Sequence, residues 1–124
     1  MPTILMYNLQ GDKGAKLRLL CMRLRIRIRN VAPAECAEPL GALAGFGSAT
    51  GAVCEERFED EMVVFVNFDS DLLNRFLREM RASRISPVYL KAVLTPTNIS
   101  WTSIQLHSEL CREHEAMHNG GKAH

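Results

Sequence analysis

The stretch from Val88 to Trp101 constrains the fold more than any other part of this chain. Val88 to Leu94 is apolar and strand-like, and the run breaks at Thr95-Pro96. A polar hinge follows, then a helix start at Trp101-Thr102. Thr102 suits the N-cap, with Gln105 three residues on to complete a capping box, and Trp101 is placed to pack on Leu106 as a hydrophobic staple. Strand, hinge and helix together set a register for the C-terminal third.

Similar signals run upstream. Ile4 to Tyr7 is a short apolar strand, followed by a turn over Gly11–Gly14. From Ala15 the residues Leu17, Leu20, Cys21 and Leu24 recur at helical spacing. Leu24 to Arg29 then alternates strictly, which predicts a strand with aliphatic residues on one face and arginines on the other. Pro39, Leu40, Leu43 and Gly45 fit a short helix with a glycine stop, and Gly47 to Cys54 reads as a flexible loop. Met62 to Phe68 is a buried strand. Asp69 or Ser70 caps the next helix, whose inner stripe is Leu72, Leu73, Phe76, Leu77 and Met80.

This order predicts an α+β domain with a ferredoxin-like β-α-β-β-α-β core, an inserted short helix and loop, and an extra C-terminal helix. A doubly wound parallel sheet is the alternative. One domain over residues 1–118 is expected, with a frayed tail over 119–124.

The 124 residues, 47% hydrophobic and 23% charged, suit a globular chain able to bury a core without disulfides. No apolar run is long enough to span a bilayer. The start Met1-Pro2-Thr3-Ile4 lacks the pattern of a signal peptide, so a cytoplasmic location and no membrane partner are expected. Cys21, Cys36, Cys54 and Cys111 form no Cys-x-x-Cys pair and read as reduced thiols. Gly-x-Ser-x-Gly, P-loop and Gly-x-Gly-x-x-Gly signatures are absent, so no catalytic residue and no cofactor is indicated.

The formal net charge of +1 gives no global drive toward nucleic acid or anionic lipid. Locally, Lys13 to Arg29 is basic and Glu55 to Glu61 acidic, a complementary pair suited to self-association or to neutralising one another. Arg25, Arg27 and Arg29 are expected on one sheet face, as an interface or nucleic-acid surface. Phe65-Val66-Asn67-Phe68 resembles the end of an RNA-recognition-motif signature. Leu5 and Val63, however, stand where stacking aromatics belong, and Glu59, Asp60 and Glu61 would repel phosphate.

Two further constellations stand out. Lys91, Thr95, Thr97 and Asn98 flank the helix start, where free N–H groups can hold an anion, although turn and capping roles explain Thr97, Asn98 and Thr102 without a ligand. On the last helix His107, Cys111, His114 and His118 share a stripe. Imidazole and thiolate are ligands that zinc prefers, which makes His107, Cys111 and His114 metal candidates.

The run Leu90-Lys91-Ala92-Val93-Leu94-Thr95-Pro96-Thr97-Asn98, then Trp101-Thr102 and the helix bearing Glu109-Leu110 and Glu113-His114-Glu115, resembles the bacterial family "domain of unknown function 3783". Met62 to Leu77 and Ile4 to Asn8 are also similar to it. The resemblance implies a bacterial source and a shared fold, and it transfers no catalytic residue. His107, Cys111 and His118 depart from the family pattern. The leading expectation is a non-enzymatic binding or assembly module that forms a homo-oligomer and senses a small-molecule ligand. RNA binding through the arginine face and metal binding by the last helix are the alternatives.

Overall fold

The structure, a computed structural model, describes residues 1–122, with side chains through residue 116. His118 and the tail expected from Asn119 fall outside the described side chains. The chain runs β1 (Thr3–Tyr7), α1 (Gly11–Arg23), β2 (Arg27–Asn30), a 3-10 turn (Pro33–Glu35) and α2 (Leu40–Leu43). It continues through β3 (Met62–Val66), α3 (Ser70–Ala82), β4 (Leu90–Val93) and α4 (Ser103–Lys122).

The four strands form one sheet in the order β2-β1-β3-β4. β1 pairs with β2 and β3 with β4 in parallel, while β1 and β3 run antiparallel at the centre. This corrects the ferredoxin-like expectation. That plan splits each β-α-β unit by inserting another strand, whereas here the two strands of each unit are direct neighbours. The central position of β1 and β3, common to both plans, does follow from the strands themselves. Every residue of β1 and β3 is buried, so both strands must sit centrally under cover on both faces.

Helices supply that cover. Ile4, Met6, Val63 and Phe65 pack under α1 and α3 through Leu17, Cys21, Phe76 and Met80. Leu5, Tyr7, Val64 and Val66 pack on the other face with Leu40, Leu43 and Leu106. The sheet therefore has no open face.

The two halves repeat one another. Asn8 and Asn67 both have φ 60, and Arg25 (φ 58) matches Arg84 (φ 57); each pair is 59 residues apart (67 − 8 and 84 − 25). The same offset relates β1 to β3 and α1 to α3. It also relates the bond from Ile26 N–H to the Cys21 carbonyl, 2.8 Å, to that from Ile85 N–H to Met80, 2.9 Å. Beyond the helices the offset becomes 63, because four extra residues separate α3 from β4. Ala32 N–H donates to Glu35 Oε1 at 3.0 Å, and 63 residues later Thr95 N–H donates to Asn98 Oδ1 at 2.8 Å. Pro39 and Thr102, again 63 apart, form a bridge with one another. A pseudo-two-fold axis thus passes through the Leu5–Val64 pair, at the middle of the β1–β3 ladder.

Several local expectations match the structure. Asp69 caps α3 by accepting the Leu72 N–H at 2.7 Å. Thr102 and Gln105 form the capping box at the start of α4, with bonds of 2.8 and 3.2 Å. Others are revised. Helix α1 begins at Gly11 rather than Ala15. Arg25 sits in the left-handed turn after α1 and not in a strand, since β2 starts at Arg27. The loop after α2 is anchored, because buried Glu38 accepts the Thr50 N–H at 2.8 Å and the Gly51 N–H at 3.1 Å. Thr50's hydroxyl and N–H hold the Glu38 carboxyl below the usual carboxylate range.

Candidate functional site

Departures from the repeat locate the distinctive features of the molecule, and both belong to the second unit. The first is the α3–β4 connection. Seven residues, Ser83 to Tyr89, do what Leu24 to Ile26 do in the first unit. The longer path, through Pro87 and Val88, borders a cleft of about 680 Å³ between α3, the sheet and the connection. Its walls are apolar, with Val63, Phe65, Phe76, Leu77 and Val88 among them, and Arg78, Arg81 and Lys91 stand at its rim. The volume lies in the usual range of small-molecule sites, roughly 300–1,000 Å³.

The second departure is the length of α4. Helix α2 stops at Gly45, whose φ of 91° ends it in a conformation that other residues resist. Helix α4 starts at the equivalent position and continues to Lys122. The added turns carry His107 and Cys111 over the Phe58–Asp60 segment. His107 Nε2 lies 2.8 Å from Asp60 Oδ2 and 3.5 Å from Cys111 Sγ. The Phe58 ring stacks on the imidazole, with centroids 4.0 Å apart and planes 12° from parallel. Asn8 Nδ2 donates to the carbonyls of Phe58, at 2.9 Å, and Asp60, at 3.0 Å, which fixes the segment from below. Burial pushes the Cys111 thiol pKa up, and Asp60 and Glu115 add to the effect.

The residues singled out from sequence divide accordingly. Of the metal candidates, His107 and Cys111 come together while His114 turns away to the Tyr89 ring, 6.0 Å between centroids. Asp60 joins them from outside the helix. Of the anion candidates, Lys91 reaches the cleft rim, but Thr95 and Asn98 satisfy one another. Asn98 N–H donates to Thr95 Oγ1 at 3.2 Å, and Asn98 Nδ2 to the Val93 carbonyl at 3.0 Å. Thr97 is exposed beside them and does not line the cleft. These are turn and capping residues.

The expected three-arginine face is reduced to Arg27 and Arg29, which alternate onto one side of β2. Arg29 pairs with Glu35, Arg25 lies in its turn, and Arg27 stands exposed on the edge strand. Lys13 pairs with Glu61 of the acidic stretch. Among the described residues every buried side-chain polar atom has a hydrogen-bond partner, so the core holds no orphaned group calling for an internal ligand.

The second unit is also where a comparison with known families finds its match. Residues 61–117 match the family model described as Domain of unknown function (DUF3783). The match begins just before β3 and ends within α4, so it spans one β-α-β-α unit. The first unit lies outside the match, yet it reproduces the DUF3783 unit's backbone bonds at fixed offsets. No curated protein matches the chain, and no solved structure does. No helix among the described residues is long and apolar enough to cross a membrane.

Proposed function

We propose that this chain is a small-molecule binding module whose ligand is an amphipathic anion, a hydrocarbon body carrying a carboxylate or phosphate. One observation carries the reading: the cleft between α3 and β4 combines apolar walls with a cationic rim of Arg78, Arg81 and Lys91. Burying a hydrocarbon there gains roughly 25 cal/mol for each Å² removed from water. The exposed guanidinium groups are placed to meet an anionic head in planar, two-pronged fashion.

Association with a second copy has no comparable support. The antiparallel seam that would join two units is made inside one chain, and Arg29 and Lys13 find their partners there as well.

Calorimetric titration of the full chain with dodecanoate tests the reading. Saturable one-to-one binding, lost in Val88→Glu and weakened in Lys91→Glu, is expected. The absence of saturable binding, or equal binding by folded Val88→Glu, overturns it.

A further inference from the structure

We propose that Asp60, His107 and Cys111 form a binding site for zinc or a cation of the same borderline-soft class. Their ligand atoms all lie within 4.8 Å of one another. In a tetrahedral zinc site with Zn–N near 2.0–2.1 Å and Zn–S near 2.3 Å, neighbouring ligand atoms stand roughly 3.3–3.8 Å apart. The 3.5 Å separation of Cys111 Sγ from His107 Nε2 already has that value. The Asp60–His107 contact has to open from 2.8 Å, and Asp60 and Cys111, whose ligand atoms lie within 4.8 Å of each other, have to reach the same spacing.

The direction of the contacts separates a metal site from a catalytic relay. In a nucleophile–histidine–acid relay the acid holds one ring nitrogen and the nucleophile faces the other. Here Asp60 and Cys111 converge on the same atom, Nε2. A carboxylate there calls for a protonated nitrogen, and a thiol donor calls for a bare one. A cation at the point of convergence satisfies all three, because each group then turns a lone pair toward it. Binding transfers the Cys111 thiol proton to solvent, forms the metal–sulfur bond and involves no redox change.

The site is held in place by its surroundings. His107 and Cys111 are four residues apart on α4, the spacing at which two helical side chains lie side by side. Phe58 fixes the plane of the imidazole. Asn8 bonds the backbone on both sides of Glu59 and so positions Asp60. Glu59 and Glu115, with His114, border a shallow dent that adjoins Asp60 and Cys111, and Glu61 beside them is paired with Lys13. The Glu59 and Glu115 carboxylates favour a cation at the mouth, and the exposure of Asp60 leaves a fourth position for water. The first unit has no counterpart. At the offset of 63, Ala44 and Ser48 stand in place of His107 and Cys111. The donor set also fixes the class of ion: imidazole and thiolate suit zinc, cobalt or nickel and not magnesium or calcium.

The test is titration of the untagged full chain, stripped with chelator, first with cobalt(II) and then with zinc(II), followed by absorption and calorimetry. One equivalent of cobalt is expected to give a thiolate-to-cobalt charge-transfer band, and zinc should abolish it by displacement. Cys111→Ser should remove the band. His107→Gln and Asp60→Asn should weaken zinc by more than the ~10–100-fold typical of a residue that only orients a ligand. His114→Gln should change affinity less than twofold. Circular dichroism reports whether each variant is folded. His107→Gln also loses the stack on Phe58, so the exposed Asp60→Asn keeps the test decisive. Unchanged zinc affinity in folded Asp60→Asn overturns the three-ligand site. So does cobalt uptake without the charge-transfer band, a loss of affinity in His114→Gln instead of His107→Gln, or no stoichiometric uptake at all.

Discussion

Asn8 and Asn67 are two-fold mates, and each reaches across the central seam to tie down the other unit. Asn8 Nδ2 donates to the Asp60 carbonyl at 3.0 Å, and Asn67 Nδ2 donates to the Met1 carbonyl at 3.4 Å, two positions related by the same offset. Both asparagines occupy the left-handed region, which their short polar side chains tolerate better than most. The geometry assigns two separable roles to each residue: it permits the turn, and it staples the partner unit.

Substitutions at Asn8 can separate these roles. Asn8→Gly keeps the backbone conformation and loses the two bonds. Asn8→Ala loses both the bonds and the tolerance. We expect Asn8→Ala to destabilise the fold by about 2 kcal/mol and to be about 1 kcal/mol worse than Asn8→Gly. Urea unfolding of the three proteins measures the difference. Equal stabilities of the two variants would show that the left-handed turn carries no cost.

Gly14 is needed for a different reason. A Cβ there would lie 2.6 Å from the Leu9 carbonyl oxygen, a backbone atom that cannot swing aside. Gly14→Ala is therefore expected to lower stability by about 1–3 kcal/mol, although alanine is the better helix former. A rise in thermal midpoint would contradict the close approach of α1 to Leu9.

The thiols predict an alkaline limit. Burial pushes the Cys21 thiol up to about 12 and the Cys36 thiol up to about 11, from an ordinary value of 9.0. The unfolded chain loses these protons first as pH rises. The stability they contribute is thus complete below about pH 9 and is lost progressively between that value and pH 11–12. Cys21→Ala should flatten the alkaline fall in unfolding free energy while costing core packing at neutral pH. The same burial predicts that iodoacetamide leaves Cys21 and Cys36 unmodified in the native protein and labels both after denaturation.

Sedimentation should show a monomer. The edges of the sheet are β2 and β4, which carry Arg27, Arg29 and Lys91, and charged edge strands resist pairing with another chain. A dimer at tens of micromolar would overturn this expectation.

Much of this architecture was legible in the residues. The continuous apolar runs Ile4–Tyr7 and Met62–Val66, the Asp69 cap and the Thr102–Gln105 box all behave as their patterns require. Strand order was not legible, because hydrophobic pattern fixes which strands are central and not which neighbour each one takes. The alternation Leu24–Arg29 misled because Leu24 and Arg25 terminate a helix with the same alternating polarity a strand would show. The repeat was hidden by dissimilar core residues: Leu17 answers to Phe76 and Cys21 to Met80. Its visible trace was the pair of Asn residues and the Arg-Ile dipeptides at 25–26 and 84–85. Asp60 was missed as a partner of His107 because it lies 47 residues away in an acidic run that reads as solvated surface.

Helix α2 ends at Gly45 while its mate runs on through a dozen or more further residues. The consequence is a division of labour within a near-symmetric body. One copy, cut short, serves as ballast that completes the shared sheet. Its twin is thereby free to lengthen a helix and a connector without endangering the fold, and chemistry can accumulate on that side alone.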